Sequence, residues 1–319
     1  MMTAIRTNDL TKRFGDVVAV DGLDLRVREG EVFGFLGPNG AGKSTTIDML
    51  LDYVRPTDGT ATVLGMDVRE ESEALRERVG VLPDGIGLYD RLTGRRHLEF
   101  AIEWTDAADD PDAILDRVGL DDRDAARSVG DYSKGMRQRL ALGMALVEDP
   151  DLLVLDEPSS GLDPHGIRRM RDLVREEAER GTTVFFSSHI LGQVEAVCDR
   201  VGILADGELV AVDTVEGLRK TVGAGSELRL RVTDDPGVDI AAIDGVESVR
   251  STDGRFRIAC SDPRAKARVV TRLTTAGVEI LDVDSDDASL EDVFTAYTTD
   301  GDVGDAEPEA PALVEEVVP

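Results

Sequence analysis

Short apolar runs alternate with longer mixed stretches between residue 1 and about residue 222. Three of these runs are EVFGFLG (31–37), DLLVLDEP (151–158) and TTVFFSSH (182–189). Turn residues bound each run, and helical sequence separates them, including a predicted helix from Lys43 to about Tyr53. Buried apolar strands separated by helices are typical of a parallel sheet that is covered on both faces. The pattern therefore predicts an α/β fold for this part of the chain.

The pattern changes after the stretch VGAGS (222–226), where we place a domain boundary. Strands are predicted at ELRLRVT (227–233), VESVRS (246–251), RFRIAC (255–260) and VEILDVD (278–284). A helical turn at 239–242 and a helix at 263–276 complete a β-α-β-β-α-β order, which predicts a small ferredoxin-like α+β domain over 226–298. Its last element is a predicted short helix, SLEDVFTAYT (289–298).

Residues 299–319 differ in composition from everything before them. They contain no Lys or Arg, and Asp, Glu, Pro and Gly dominate. Such a segment has too few apolar side chains to form a core. We therefore predict an acidic disordered tail.

The charge of the whole chain is strongly negative. Its 319 residues include 65 acidic and 36 basic residues, which gives a net charge of −29. This balance argues against a nucleic-acid-binding surface, which normally needs a basic patch. Repulsion among so many carboxylates is screened at about 1 M salt, where the Debye length falls to about 3 Å. We therefore hypothesise a halophilic protein that works in a high-salt cytoplasm.

The sequence also predicts a location and excludes some chemistry. We find neither an apolar run of the roughly 18 residues that a membrane helix needs nor the plan of a signal peptide, so we expect a cytoplasmic protein. Cys198 and Cys260 lie in unrelated contexts, which disfavours a disulfide framework or a zinc site. Both cysteines are interpreted as small buried hydrophobic residues.

A glycine-rich loop follows the first of the three apolar strands. The pattern G-x-x-x-x-G-K-[ST] between a strand and a helix is typical of a phosphate-binding loop. Its members are Gly37, Pro38, Asn39, Gly40, Ala41, Gly42, Lys43, Ser44 and Thr45. Backbone N–H groups of such a loop surround phosphates, Lys43 would act on the β and γ oxygens, and Ser44 would offer a hydroxyl to Mg²⁺.

Polar side chains follow the other two apolar strands. Asp156 and Glu157 end one strand, and His189 ends the next. Because the carboxyl ends of parallel strands share one edge of a sheet, these side chains are expected near the phosphate loop. Asp156 fits a Mg²⁺ ligand, and Glu157 fits the general base that activates water.

Simpler interpretations exist for each of these residues. Two carboxylates at a strand end are often turn residues, and a lone histidine is more often structural than reactive. The preceding phosphate loop favours the functional interpretation for Asp156 and Glu157, and a position beside two other reactive strand ends favours it for His189. His97 lies in a helical pattern and His165 follows a turn, so both are interpreted as structural.

Together these segments resemble the nucleotide-binding subunit of an ATP-binding cassette (ABC) transporter, over nearly all of residues 3–220. GPNGAGKST is similar to the Walker A segment of that family and LLVLDE to its Walker B segment. YSKGMRQR (132–139) is similar to the signature segment, SSGLDP (159–164) to the D-loop, and His189 to the switch histidine. Phe14 in TKRFG matches the aromatic residue that stacks on adenine in this family. The resemblance implies a P-loop ABC cassette over 3–222, with a RecA-like core and antiparallel β and helical subdomains, that binds ATP and Mg²⁺ and hydrolyses ATP.

The signature segment departs from the family pattern at two positions. Lys134 and Met136 replace the usual residues, whereas Ser133 and Gly135 are kept. The resemblance implies that Ser133 and Gly135 bind the γ-phosphate of ATP held by a second ATPase subunit, because the chain's own loop already surrounds its own phosphates. A plain helix N-cap is the alternative for Ser133, but it does not account for Gly135. Lys134 and Arg137 either add charge at the seam between subunits or are simply solvated.

Asp84 is a second departure, since the family commonly has Gln after Leu-Pro. Asp84 is assigned to a metal or coupling role, and a turn-forming Asp-Gly pair is the alternative.

The signature, the stretch LYDRLTG (88–94) and the C-terminal domain are most similar to ATPases of the ABC-2 type exporter branch. This resemblance implies integral membrane permease subunits as partners, and a position on the inner face of the cell membrane. Docking is expected near residues 84–131, which include Trp104, although core packing is the alternative for that side chain.

Two other functions remain as alternatives. The first is a non-transport ABC ATPase that acts as a switch in a soluble complex; such relatives commonly carry a coiled-coil insertion or two cassettes. The second is an ATP-binding regulator without hydrolysis, which Glu157 and His189 disfavour.

Overall fold

The computed structural model describes residues 2–85, 87–221, 226–233, 237–252, 255–260 and 263–286. Two β-sheets with surrounding helices are formed by the described residues 2–85 and 87–221. The strands are β1 (Thr3–Phe14), β2 (Val17–Leu23), β3 (Arg26–Arg28), β4 (Val32–Leu36), β5 (Asp58–Val63), β6 (Met66–Asp67), β7 (Val79–Leu82), β8 (Leu152–Asp156), β9 (Thr183–Ser188), β10 (Arg200–Ala205) and β11 (Glu208–Thr214). The helices are α1 (Lys43–Leu50), α2 (Ser72–Arg76), α3 (Gly94–Thr105), α4 (Pro111–Arg117), α5 (Asp122–Ala125), α6 (Lys134–Ala145), α7 (Pro164–Glu179), α8 (Leu191–Glu195) and α9 (Val215–Thr221).

The central sheet has the strand order β11-β10-β4-β9-β8-β7. Neighbouring strands from β10 to β7 are parallel, and only β11 runs antiparallel to its neighbour. Every residue of β4, β8 and β9 is buried, as expected for strands with helices on both faces. The predicted parallel α/β sheet is confirmed, and the carboxyl ends of β4, β8 and β9 lie side by side.

A second, antiparallel sheet has the order β2-β1-β5-β6, with β3 also paired to β1. Its apolar residues share one core with helix α1 and with Phe33, Phe35 and Phe185 of the central sheet. The rings of Phe33 and Phe185 stack with centroids 5.9 Å apart. This packing holds the antiparallel sheet against α1, the helix that follows the predicted phosphate loop.

Helix α1 ends at Leu50, earlier than the predicted end near Tyr53. Asp52 adopts a left-handed backbone conformation (φ 54°), which an α-helix cannot continue through. The backbone N–H groups of Tyr53 and Val54 both donate to the carbonyl of Asp48 instead. The apolar pattern does not predict this helix end, because Tyr53 and Val54 continue the pattern beyond Leu50.

Helices α3 to α6 form the helical part that the resemblance implies. They share a core with the central sheet through residues such as Leu98, Leu115 and Leu140. His97 is buried here, and its two ring nitrogens lie 3.0 Å from the Tyr89 backbone nitrogen and 2.8 Å from the Thr93 carbonyl. These bonds fix the loop before α3, which supports the structural interpretation of His97. His165 is exposed at the start of α7.

In the described ranges after residue 225, the chain forms a four-stranded antiparallel sheet and a helix that packs on it. Its elements are β12 (Ser226–Val232), β13 (Val246–Thr252), β14 (Arg255–Cys260), α10 (Pro263–Thr275) and β15 (Ile280–Asp286). The strand order β13-β14-β12-β15 is the order that a ferredoxin-like β-α-β-β-α-β chain produces. The predicted helical turn at 239–242 is a series of bends and turns whose Ile240 still packs into the core. The predicted helix at 289–298 and the predicted tail at 299–319 lie outside the described residues, as does the boundary at 222–225.

Neither Cys198 nor Cys260 forms a disulfide bond. Cys260 is fully buried, and burial raises the pKa of the Cys198 thiol. Neither position suits a reactive thiolate. Within the described ranges, no helix combines the length and the apolar character that crossing a membrane requires.

Candidate active site

The loop from Gly37 to Gly42 joins the carboxyl end of β4 to the start of α1. Gly40 and Gly42 have positive φ angles of 88° and 105°, and a Cβ atom on Gly42 would lie 2.3 Å from the Ala19 carbonyl oxygen. The loop is tied to β9, because the Gly37 N–H donates to the Ser188 carbonyl (3.3 Å). Glycine is therefore required at Gly42 both by backbone conformation and by the close approach of β2.

Lys43 is nearly buried, with 6% of its side chain exposed. Its Nζ donates to the carbonyls of Gly37 (2.8 Å) and Pro38 (3.2 Å), and lies 3.4 Å from Glu157 Oε1. A buried ammonium without partners would be strongly destabilising, so the loop itself holds this cation in place. Lys43 is thus positioned inside the loop that is predicted to surround phosphates.

Asp156 connects the strand end to both neighbours. Its Oδ2 accepts from the Ser44 hydroxyl at 2.9 Å, and its Oδ1 accepts from the Ser187 hydroxyl at 2.5 Å. Ser187 also accepts the Glu157 backbone N–H at 3.1 Å. The structure therefore brings Ser44 and Asp156 together, as predicted for two ligands of one metal ion.

Two residues of this cluster are missing from the sequence interpretation. Ser187 lies within TTVFFSSH, where a serine at a buried strand end beside the predicted switch histidine is a usable signal. Burial raises the pKa of Asp48, and the charge of Asp156 raises it further. Asp48 lies one helical turn after Ser44, a spacing that by itself is a signal for a shared helix face.

Glu157 has the geometry of a residue held for function. Its backbone φ is 48°, a left-handed value that is uncommon for a non-glycine residue and is concentrated at functional sites. Its Oε2 lies 2.9 Å from His189 Nδ1, whereas Oε1 is buried without a hydrogen bond among the described residues and lies 3.4 Å from the Lys43 ammonium. A carboxylate with one such oxygen has unused capacity to accept a proton or to orient water.

The donor set at this edge fits Mg²⁺. Ser44 Oγ and Asp156 Oδ2 are hard oxygen donors that lie within hydrogen-bond distance of each other. Over the described part of the chain, no three His, Cys, Asp or Glu side chains form a cluster that could hold a metal by themselves. This agrees with Mg²⁺ chemistry, since that ion is usually held by one or two protein ligands together with substrate phosphates and water.

The signature segment begins helix α6, with Ser133 as its N-cap. The Ser133 hydroxyl accepts the Met136 N–H at 3.3 Å, so the N-cap alternative is realised. Gly135 has no such role, because a Cβ atom there would meet other atoms only at 4.0 Å. Nothing described within this chain therefore requires glycine at position 135.

The two basic residues of the signature both contact their own chain. Arg137 pairs with Asp90 at 2.8 Å. The Lys134 side chain lies across the D-loop, since a Cβ atom on Gly161 would fall 2.2 Å from Lys134 Nζ. Lys134 therefore links the signature to the D-loop, and Arg137 is an ion-pair partner rather than a purely solvated charge.

Two predicted residues lie apart from the cluster. Phe14 is the last residue of β1 and is 51% exposed. It pairs with Val17 of β2, and the Ala19 carbonyl of the same strand lies close to Gly42. Asp84 is exposed in the turn after β7, and the hydrogen bonds and ion pairs described for the chain include none between Asp84 and Ser44, Asp156 or Glu157. Asp84 therefore occupies a turn, as in the Asp-Gly alternative.

The fold and the cluster define a class of protein, the P-loop ATPases of the ATP-binding cassette type. The ABC transporter family model matches residues 20–160, and the model of the ATP-binding protein DrrA1-3-like C-terminal domain matches residues 214–298. The chain is 35% identical to a bacitracin transport ATP-binding protein of Bacillus licheniformis, over 95% of this chain and 100% of that protein. It is 37% identical to a daunorubicin/doxorubicin resistance ATP-binding protein of Streptomyces peucetius, over 92% of each. This chain belongs to the family of ABC transporter ATP-binding proteins, and it is an ATPase.

Solved structures agree with this assignment. One described as an ATP-binding subunit of an ABC transporter is 28% identical, with a TM-score of 0.62 over 69% of this chain and 94% of that chain. A dimeric cassette in a post-hydrolysis state bound to ADP and Pi has a TM-score of 0.60 at 23% identity, over 66% of this chain and 98% of that chain, and it shows the shared fold. The predicted cassette fold is confirmed.

Proposed function

We propose that this chain is the ATP-hydrolysing motor of an exporter whose membrane-spanning subunits are separate chains. The observation that carries the proposal is the cluster at the ends of β4, β8 and β9, where Lys43, Glu157 and His189 are joined by contacts of 2.9 to 3.4 Å. The relatives named above act in bacitracin transport and in daunorubicin resistance, and a further relative is a fluoroquinolones export ATP-binding protein. These names support export as the process.

In the proposed site, the loop Gly37–Thr45 binds the phosphates of ATP and Lys43 supports the β and γ phosphates. Ser44 and Asp156 would hold Mg²⁺, which neutralises phosphate charge when bound. Glu157 orients the attacking water and accepts its proton, and His189 holds Glu157 through the 2.9 Å contact. Phe14 would stack on the adenine from the β1–β2 hairpin.

The dimer proposal rests on the signature segment. Ser133 is exposed, and Gly135 has space that its own chain does not fill. Both features suit the γ-phosphate of ATP bound by a second subunit, in a homodimer or with a close homologue. Lys134 lies against the D-loop, and the Ser160 N–H of that loop donates to the Glu157 carbonyl (2.9 Å). Through these two contacts, binding of the second subunit's ATP at the signature segment would be coupled to Glu157.

The permease contact is proposed on helix α3. Phe100 and Trp104 are 48% and 80% exposed, and their ring centroids lie 6.2 Å apart. The core-packing alternative for Trp104 is therefore wrong within this chain, and an exposed aromatic pair is typical of a contact surface. We place the subunit on the inner face of the cell membrane for this reason.

The cassette is proposed to span 3–222 and the C-terminal domain 226–298.

Replacing Glu157 tests the proposal. Glu157→Gln keeps the size of the side chain but removes the base, so ATP turnover should fall about 10² to 10⁴-fold while ATP binding persists. Glu208→Gln, at an exposed position of β11, is the matched control and should hydrolyse ATP at the wild-type rate. Turnover and equilibrium ATP affinity would be measured on both variants; unchanged turnover in Glu157→Gln would refute the role of Glu157.

A further inference from the structure

The outward face of the C-terminal sheet concentrates positive charge in a chain of net charge −29. Leu228, Leu230 and Ile258 point into the core, and the alternating positions of the same strands point outward. We call the outward set the arginine face: Arg229 and Arg231 on β12, Arg255 and Arg257 on β14, and Arg250 on β13.

Strand register places these arginines against one another. Arg229 is paired with Arg257, Arg231 with Arg255, and Arg250 with Arg257. Like charges directly opposite on one face of a sheet are destabilising. The ferredoxin-like fold itself does not require arginine at these outward positions, so the repulsion points to an anionic binding partner.

Aspartates of the edge strand offset part of this charge. Asp284 is paired with Arg229 and Asp282 with Arg231, whereas β14 has no described aspartate or glutamate opposite its arginines. A groove of about 260 Å³ lies between the β12 and β14 arginines and these aspartates. The described side chains of this face therefore keep a positive balance and leave room for further carboxylates.

We propose that the acidic segment 299–319 of the same chain docks on the arginine face. The segment contains no Lys or Arg, and its acidic residues are Asp300, Asp302, Asp305, Glu307, Glu309, Glu315 and Glu316. Arginine binds carboxylates through paired hydrogen bonds, which makes it well suited to a carboxylate-rich segment. The proposal does not depend on the exporter function.

Chain length permits this contact. The last described strand, β15, ends at Asp286 beside β12, so 13 residues (286 to 299) precede the acidic segment. That stretch spans about 25 Å even if 289–298 form the predicted helix. The four strands of the sheet are only about 15 Å across at about 4.8 Å per strand spacing.

Tethering also favours the chain's own tail over outside polyanions. A covalently linked segment has an effective concentration of about 1 mM near its site. A nucleic acid or an anionic membrane is instead repelled by the net charge of −29 as it approaches. The same-chain segment is therefore the occupant that the charges favour.

Zero-length cross-linking of the full-length protein tests the proposal. A carbodiimide joins a carboxylate to a lysine amine in direct contact, so Arg255→Lys places a reporter amine on the arginine face. Arg123→Lys places the same amine at an exposed position of helix α5 and is the matched control. We expect mass spectrometry to find residue 255 joined to residues 300–316, with a yield several-fold above that at residue 123. Adding Arg229→Gln and Arg257→Gln, or molar KCl, should lower that yield several-fold.

Mixed samples of unlabelled and ¹⁵N-labelled chains identify whose tail is bound. Cross-links within single chains support the proposal, whereas isotopically mixed pairs would assign the face to the tail of a second copy and overturn it. A yield at residue 255 no higher than at residue 123 would also overturn it. A third contrary outcome would assign the face to an anionic lipid. In that case no tail cross-link forms, and the protein binds phosphatidylglycerol vesicles but not phosphatidylcholine vesicles. The Arg229→Gln/Arg257→Gln variant would lose this binding.

Discussion

Charged residues are clustered on two sheets of this molecule, and the two clusters follow opposite rules. At the end of the central sheet, Lys43 and Glu157 are 6% and 12% exposed, and each has an oppositely charged or hydrogen-bonding partner. On the arginine face, like charges stand opposite one another at exposed positions such as Arg255 and Arg257. Buried charges must be paired because desolvation is costly, whereas water and salt screen exposed ones.

The two arrangements of charge suit two different functions, catalysis and anion recognition. Pairing fixes the cassette cluster in one geometry, which phosphoryl transfer needs because it depends on positioning. An unbalanced exposed face instead suits recognition of an anion, since arginine binds carboxylates through paired hydrogen bonds. The predictions below test this contrast.

The largest expected effect concerns a buried pair inside the cassette. Arg117 on α4 donates to both carboxylate oxygens of Glu177 on α7, and these bonds raise the pKa of Arg117. Glu177 is fully buried, so Arg117→Met should lower the free energy of unfolding by about 3 to 5 kcal/mol. Arg257→Gln on the arginine face should change it by less than about 0.5 kcal/mol. Urea unfolding of both variants compares them directly, and equal losses would remove the contrast.

The second effect concerns ATP binding. Lys43→Ala removes the cation that the loop holds beside Glu157, so ATP affinity should fall by at least about tenfold, or 1.4 kcal/mol. Arg231→Ala on the arginine face should leave the affinity unchanged. Isothermal titration with ATP checks both variants, and wild-type affinity in Lys43→Ala would contradict the phosphate-loop assignment.

A third effect concerns salt. Because acidic residues outnumber basic ones by 65 to 36, raising KCl from millimolar to molar concentration should increase the free energy of unfolding. The gain should be on the order of 1 kcal/mol, the scale of a few relieved like-charge pairs. Thermal unfolding over a KCl series measures it. Stability that stays flat or drops would count against the high-salt hypothesis.

The smallest effect on stability is expected at Gly135. Because a Cβ atom fits there, Gly135→Ala should fold normally and gain up to about 1 kcal/mol from helix propensity. Turnover should nevertheless fall, because the added methyl group would occupy the place proposed for the partner's phosphate. Full turnover in a stably folded variant would mean that this glycine does not face a second subunit's ATP.

Ser133 needs a gentler substitution, because it caps α6. Ser133→Asn keeps a good N-cap but replaces the hydroxyl, so helix stability should persist whatever happens to turnover.

Much of the fold follows from local pattern. The apolar runs around Phe33, Val154 and Phe185 are strands in the structure, and β14 begins and ends where its alternation predicts. Helix ends are less well predicted: α1 stops at Leu50 because Asp52 takes a left-handed conformation, and the sequence does not encode that stop in its apolar period. The site residues were identifiable because phosphate loops and strand-end carboxylates have fixed spacing. Ser187 and Asp48 have weaker sequence signals, a strand-end position and a one-turn spacing from Ser44, because their importance comes from proximity to Asp156.

The sequence alone determined the class of chemistry. A glycine-rich loop with Lys43, followed along the chain by carboxylates at a buried strand end, predicts an ATPase because few other functions use this combination of residues in this order. Tertiary structure alone decided which groups meet. The parallel sheet brings Ser44, Asp156, Ser187, Glu157 and His189 to one edge across more than a hundred residues of chain. Strand register likewise decided that the arginines of β12, β13 and β14 stand opposite one another. The alternation of side chains along one strand is visible in the sequence, but the pairing of strands is set by residues that are distant in sequence.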